Sequence, residues 1–203
     1  MAIYNLRKGR EAMINVQICR NCSLIAATLT MLISGTASAE VIRGDGGPIA
    51  FESGYGTENG GSSLNRQWVI VNDDHLPVEL TQFQIRPILG TRYRGFSIDY
   101  SIESQTPVSA IELIFIPFDI WGTPSRPMAA THIQDIPAGS QSFSSEWSTL
   151  NESVVSNHFV MIGYVAQVRL ESGEVIKANI DGVIEEARRL SENFGADNLS
   201  LDQ

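Results

Sequence analysis

Between Phe96 and Ile102 every second residue is apolar: Phe96, Ile98, Tyr100 and Ile102 alternate with Ser97, Asp99 and Ser101. A period of two with one apolar and one polar face is the pattern of a strand with a core on one side and water on the other. Ser109–Trp121 carries a different message. Ile111, Leu113 and Phe115 occupy one parity and Ile114, Ile116 and Phe118 the other. A strand apolar on both faces is a central strand, or one whose outer face is covered. These two segments require a layered β structure.

The rest of the chain supplies the other strands. Trp68–Asn72 is a β-branched run that meets turn chemistry at Asn72-Asp73-Asp74. Pro77–Leu80 and Phe83–Ile85 are weaker candidates, and Pro87 pushes that region toward a sheet edge. His132–Ile136 is short and closes at Pro137-Ala138-Gly139; Ser142–Trp147 has no decisive pattern. Val160, Ile162, Tyr164, Ala166, Val168 and Leu170 share one parity, and Glu171–Glu174 turns the chain back over Val175–Ile180 as a hairpin. About seven strands without crossover helices predict an all-β sandwich over 67–181 of immunoglobulin or fibronectin type III plan. From Asp181, read as an N-cap, Val183, Ile184, Ala187, Leu190 and Phe194 recur at helical spacing, with Glu185, Glu186, Arg188 and Arg189 opposite and Gly195 as a stop. Residues 182–203 are therefore expected to be an amphipathic helix and a frayed tail.

The N-terminus reads as an export signal over residues 1–39. Arg7, Lys8, Arg10 and Arg20 precede an apolar run, Leu24–Ile33, and then Ala37-Ser38-Ala39, so cleavage is expected before Glu40. The run is shorter than a bilayer core requires, and no span is expected after cleavage. Starting at Met13 would give a leader of ordinary length. No Arg-Arg pair precedes the run, which favours the general secretion route to the periplasm or exterior. Cys19 and Cys22 both fall inside this segment, so their C-x-x-C spacing is not read as a redox or metal site. The segment that follows, 40–66, holds Gly44, Gly46, Gly47, Gly54, Gly56, Gly60 and Gly61 and is expected to be a flexible connection. It lacks a complete G-x-G-x-x-G, so no phosphate loop is expected.

Charge and motif content narrow the function. The chain carries 14 Lys+Arg against 23 Asp+Glu, and loss of residues 1–39 leaves 10 against 22, which disfavours nucleic acid. His75, His132 and His158 form no H-E-x-x-H, G-x-S-x-G is absent, and no calcium loop occurs. Met128 and His132, or His158 and Met161, suggest soft copper ligands, but residues three apart on a strand face opposite ways, which separates the second pair. Asp73-Asp74 reads as a turn, and Asp119 as a carboxylate among aromatics at a strand end. Trp121 and Trp147, beside loops, are the aromatics expected to be exposed, ahead of Tyr55 and Tyr93; Trp68 is expected in the core. The candidate ligand or partner surface is Trp121, Trp147, His132 and Asp119, with no catalytic residue, cofactor or metal assigned. The expectation is an exported, non-catalytic interaction or accessory module that meets another exported or envelope protein. A small-ligand binder, for a glycan or copper, is the alternative.

Overall fold

The computed structural model describes residues 39–48, 65–90, 94–149 and 151–201. Nearly all of the segment expected to be an export signal, with Met13, Cys19 and Cys22, and the glycine-rich stretch 49–64 with Tyr55 lie outside the described residues, as does Tyr93.

Nine strands are described: β1 Ala39–Pro48, β2 Asn65–Asp73, β3 Val78–Leu89, β4 Arg94–Ser104, β5 Val108–Asp119, β6 Met128–Ile136, β7 Gly139–Ser148, β8 His158–Leu170 and β9 Val175–Lys177. The helices are α1 Glu152–Ser156, α2 Asp181–Arg188 and a 3-10 turn, Ala196–Leu199. One sheet runs β1-β2-β8-β5-β6, with β9 paired to β8; the other runs β3-β4-β7. All pairs are antiparallel except β2 with β8.

The two sheets face each other across an apolar core, so the expected all-β sandwich is the observed one. The order of crossings is not that of the immunoglobulin plan. That plan divides its strands as ABED and CFG. Here the chain places two strands in the large sheet, two in the small, two in the large, one in the small and two in the large, with a parallel pair at its centre. Strand count and alternation carry no information about which sheet each strand joins.

Phe115 occupies the middle of the inner core. Its ring meets Phe83 at 5.3 Å, Tyr100 at 5.4 Å and Trp147 at 5.8 Å between centroids. These tilted and edge-on arrangements suit the ring quadrupole and add to the burial of the side chains. β5 is also buried on its other side. Ile114, Ile116 and Phe118 join Val160, Ile162 and Tyr164 in a second apolar layer, closed by Val183, Ala187, Phe194 and Leu199. The two-sided pattern of β5 therefore has its cover: the C-terminal segment lies on the outer face of the large sheet.

Several sequence expectations change. Residues 40–48, read as part of a flexible glycine-rich stretch, form β1 with Ala39. Gly44 is there for space: a Cβ on it would fall 2.0 Å from the Trp68 ring, so the indole packs flat on this strand only because the residue is glycine. Ser142–Trp147 is the body of β7, with Phe143, Ser145 and Trp147 half-buried and Ser142, Ser144 and Glu146 exposed. The C-terminal helix stops at Arg188, whose Nε donates to Phe194 O at 2.9 Å. The turn this bond stabilises folds Phe194 and Leu199 back onto the sheet, so the tail packs where fraying is expected. Glu186, assigned to the polar side, is buried and ion-paired to Arg43 of β1 and Arg189.

Asn72 ties the two sheets together. It lies in β2, and its side chain donates to Leu80 O and accepts from Leu80 N of β3, each at 3.0 Å. The bonds fall where the β3–β4 register shifts between Leu80 and Gln82, a bulge that frees backbone groups. Asn72→Ala strands a buried N–H and C=O. Urea unfolding is expected to show a loss of about 1–3 kcal/mol; a loss under about 0.5 kcal/mol would contradict this role.

Candidate functional site

The β5–β6 connection begins at Asp119, the last residue of β5. Its Oδ1 accepts from Trp121 N at 2.9 Å and Thr123 N at 2.8 Å, its carbonyl accepts from Gly122 N at 3.0 Å, and its own N–H donates to Thr123 O at 3.1 Å. Gly122 takes φ +76°, and a Cβ there would lie 2.1 Å from Leu190 O of the C-terminal segment. Both the backbone sign and the close approach demand glycine. The carboxylate of Asp119 is thus a turn clamp. The result is a hydrogen-bonded turn that holds Trp121 outward at 84% exposure with Ile120 beside it at 39%.

Trp147 is placed differently from expectation. Its ring reaches inward to Phe115, and Nε1 donates to Ala129 O at 3.1 Å across the seam between β7 and β6. It forms one wall of a groove of about 430 Å³ at the end of that seam, with Phe96, Pro117, Met128 and Val154. Arg126 and Leu201 also line the groove, joined by a hydrogen bond from the guanidinium to the Leu201 carbonyl.

His132 lies further along the same seam. Its ring packs on Phe143 at 4.2 Å, and Nε2 is hydrogen-bonded to the Tyr100 hydroxyl, which also meets Ser145 Oγ at 3.0 Å. Burial lowers the His132 pKa and raises that of Tyr100, against the opposing effect of the Ser145 bond. The imidazole is therefore neutral and the phenol protonated at neutral pH. Serine, tyrosine and histidine in a row can suggest a proton relay, but Ser145 lines none of the described hollows. The chain of bonds ties β6 to the small sheet.

The four sequence-selected residues do not converge. Asp119 and Trp121 share one turn, whereas Trp147 and His132 line the β6–β7 seam. Among the described residues no group of three or more His, Cys, Asp or Glu is placed to hold a metal ion. The strand-parity argument for His158 and Met161 also fails. The β5–β8 register shifts between Phe118 and Asp119, so His158 points inward to Phe96, in the core layer that holds Met161. Two apolar side chains, Ile133 at 84% and Val175 at 46% exposure, border a shallow hollow at the opposite end of the large sheet.

Arg66 carries no sequence expectation, and His158 is read from the sequence only as a copper ligand paired with Met161. Arg66, 8% exposed, points inward beside Trp68 and donates from Nε to His158 O at 3.2 Å. His158 is 1% exposed, and neither ring nitrogen has a hydrogen-bond partner among the described residues. The available signal was an arginine at the inward parity of β2, two residues before Trp68.

No protein family and no curated protein matches the sequence. Among solved structures, a hypothetical protein of Peptoclostridium difficile 630 is similar over 57% of this chain and 92% of its own, with 11% identity and a TM-score of 0.40. No helix among the described residues is long and apolar enough to cross a membrane.

The state of His158 sets a pH dependence. Burial, and then the charge of Arg66, push its pKa from 6.5 down to about 3. The unfolded chain takes up a proton near 6.5 and the folded chain does not until about 3. Stability is therefore whole above the upper value and falls as pH drops through that window, by about 1.4 kcal/mol per unit. Between pH 7 and 5, urea unfolding of the wild type is expected to lose about 2 kcal/mol more than that of His158→Leu. Equal losses would contradict the assignment.

Proposed function

We propose that this chain is an exported, non-catalytic β-sandwich that acts by protein–protein contact, with the Asp119–Ser125 turn as its contact surface. The exposure of Trp121 carries the reading. An aromatic side chain buries 150–250 Å² when it packs, and at about 25 cal/mol/Å² that is roughly 4 kcal/mol. The free chain leaves most of this unused, on a turn whose hydrogen bonds already fix its backbone. A pre-ordered tryptophan loses little entropy on docking, which is the property of an interface anchor. The other tryptophans, Trp68 and Trp147, are packed against the core and do not compete for the role. The leader pattern over residues 1–39 supports an encounter in the periplasm or outside the cell, and the acidic net charge favours a partner with a basic face.

The groove beside Trp147 supports a second reading, a small-ligand site. Its volume falls within the range of ligand pockets, and one wall is an indole of the kind sugars stack on. Copper fits less well: Met128 and His132 offer two donors, and Nε2 of the histidine is engaged by Tyr100.

A photo-crosslinking residue at position 121 is expected to yield one adduct of defined mass in the exported fraction, absent when the same residue replaces exposed Ser142. With that partner in hand, Trp121→Ala should weaken binding about 30-fold while leaving unfolding within about 0.5 kcal/mol. Identical adducts from positions 121 and 142 would count against this surface. Quenching of Trp147 fluorescence by an oligosaccharide, with position 121 silent, would favour the groove.

A further inference from the structure

We propose that a hollow of about 540 Å³ on the outward face of the small sheet binds a neutral saccharide. It spans β3, β4 and β7 at the level of Phe83, Tyr100 and Phe143, whose rings turn into the core. The flanking rows therefore point outward. Gln82, Ser101 and Ser142 are cross-strand partners in one row, and Gln84 and Asp99 pair in the other. Asp45 of β1 and Trp68 of β2 add a wall from the large sheet. A polar sheet face is ordinarily flat and solvated. Here the second sheet walls it, part of the wall is an indole, and the size lies within the roughly 300–1,000 Å³ of ligand clefts.

The lining selects the ligand class. Gln82 and Gln84 each carry an amide donor and acceptor, the serine hydroxyls do both, and Asp99 is a strong acceptor. A ligand that matches them must donate and accept at closely spaced points, as neighbouring hydroxyls do. The Trp68 indole suits the C–H face of a sugar ring, the apolar side of the same molecule. That indole is half-buried and fixed by packing on Gly44 and against Phe83 at 5.6 Å. The floor is also set before any ligand arrives: Ser101 Oγ meets Ser142 Oγ at 2.9 Å, and Gln82 Nε2 donates to Ser101 Oγ at 3.4 Å. Side chains held on strands lose little entropy on binding. Charge disfavours ionic ligands. No basic side chain lines the hollow, so an anion meets two carboxylates and no counter-charge. Both carboxylates are engaged, Asp99 with Arg86 at 2.7 Å and Asp45 with the Asn65 amide at 2.7 Å, which leaves no bare pair for a cation. The site is separate from the groove beside Trp147 and from the Trp121 turn, and depends on neither.

The test labels the protein with 5-fluorotryptophan and follows its three tryptophans by fluorine-19 NMR, assigned with Trp68→Phe, Trp121→Phe and Trp147→Phe. Neutral hexasaccharides of glucose, mannose, xylose and N-acetylglucosamine are titrated separately, with hexagalacturonate as the anionic comparison. At least one neutral hexasaccharide should shift the Trp68 signal saturably below about 10 mM, with Trp121 and Trp147 unmoved. Hexagalacturonate should leave all three signals in place. Gln84 is exposed, and its side chain has no hydrogen-bond partner among the described residues. Gln84→Ala should therefore keep Tm within about 2 °C and weaken binding about three- to tenfold. Asp99→Asn should weaken it about tenfold. The proposal is overturned if no neutral hexasaccharide moves Trp68, if the saccharide moves Trp147 instead, if hexagalacturonate binds as tightly, or if Gln84→Ala and Asp99→Asn both bind as the wild type does.

Discussion

The fold depends on β5 being buried on both sides. Phe115 points into the space between the sheets and meets rings from β3, β4 and β7, while Ile114, Ile116 and Phe118 point the other way into a second apolar layer. A single sheet facing a single partner would leave that second face in water. The chain therefore brings its C-terminus back across the large sheet. Val183, Ala187, Phe194 and Leu199 close the outer layer, and the buried Glu186 carboxylate links α2 to Arg43 of the edge strand. The interior has three layers, although only two are sheets.

This arrangement determines what is left for function. Phe83, Phe115 and Tyr100 are consumed by the inner core, Trp68 and Trp147 pack at its borders, and Phe118 and Phe194 meet in the outer layer. Trp121 is released because the C-terminal segment passes beneath its turn, so close that Gly122 cannot carry a side chain. The element that completes the core thus also braces the turn that presents the tryptophan. The end of the large sheet that carries this turn is also where β8 begins with His158, opposite Asp119.

The layers were legible in the sequence because they follow from local parity. Alternation over 96–102 and its loss over 111–118 record, residue by residue, which faces are dry. What parity could not supply were long-range contacts. Gly44 resembles a linker residue until Trp68, 24 positions later, is seen lying on it. Trp147 sits beside a loop and was expected outside, but its partners Phe115 and Ala129 come from other strands. His158 was assigned the wrong face because one register shift in β8 reverses every parity assignment before it. The C-terminal helix was overextended for a related reason: its periodicity continues to Phe194, while the need to return onto the sheet ends the helix at Arg188. Trp121 and Asp119 were recognised as unusual from their neighbours alone, since the turn that contains them is local.

The most direct test of this account is the contribution of Phe194 to global stability. Phe194 is 1% exposed, and its ring lies 5.6 Å from that of Phe118. If the C-terminal segment is an integral third layer, Phe194→Ala should unfold in urea in one cooperative step with a loss of about 3–5 kcal/mol. A loss below about 1 kcal/mol would show that the outer face of β5 does not need this cover, and the two-sided reading of that strand would fail.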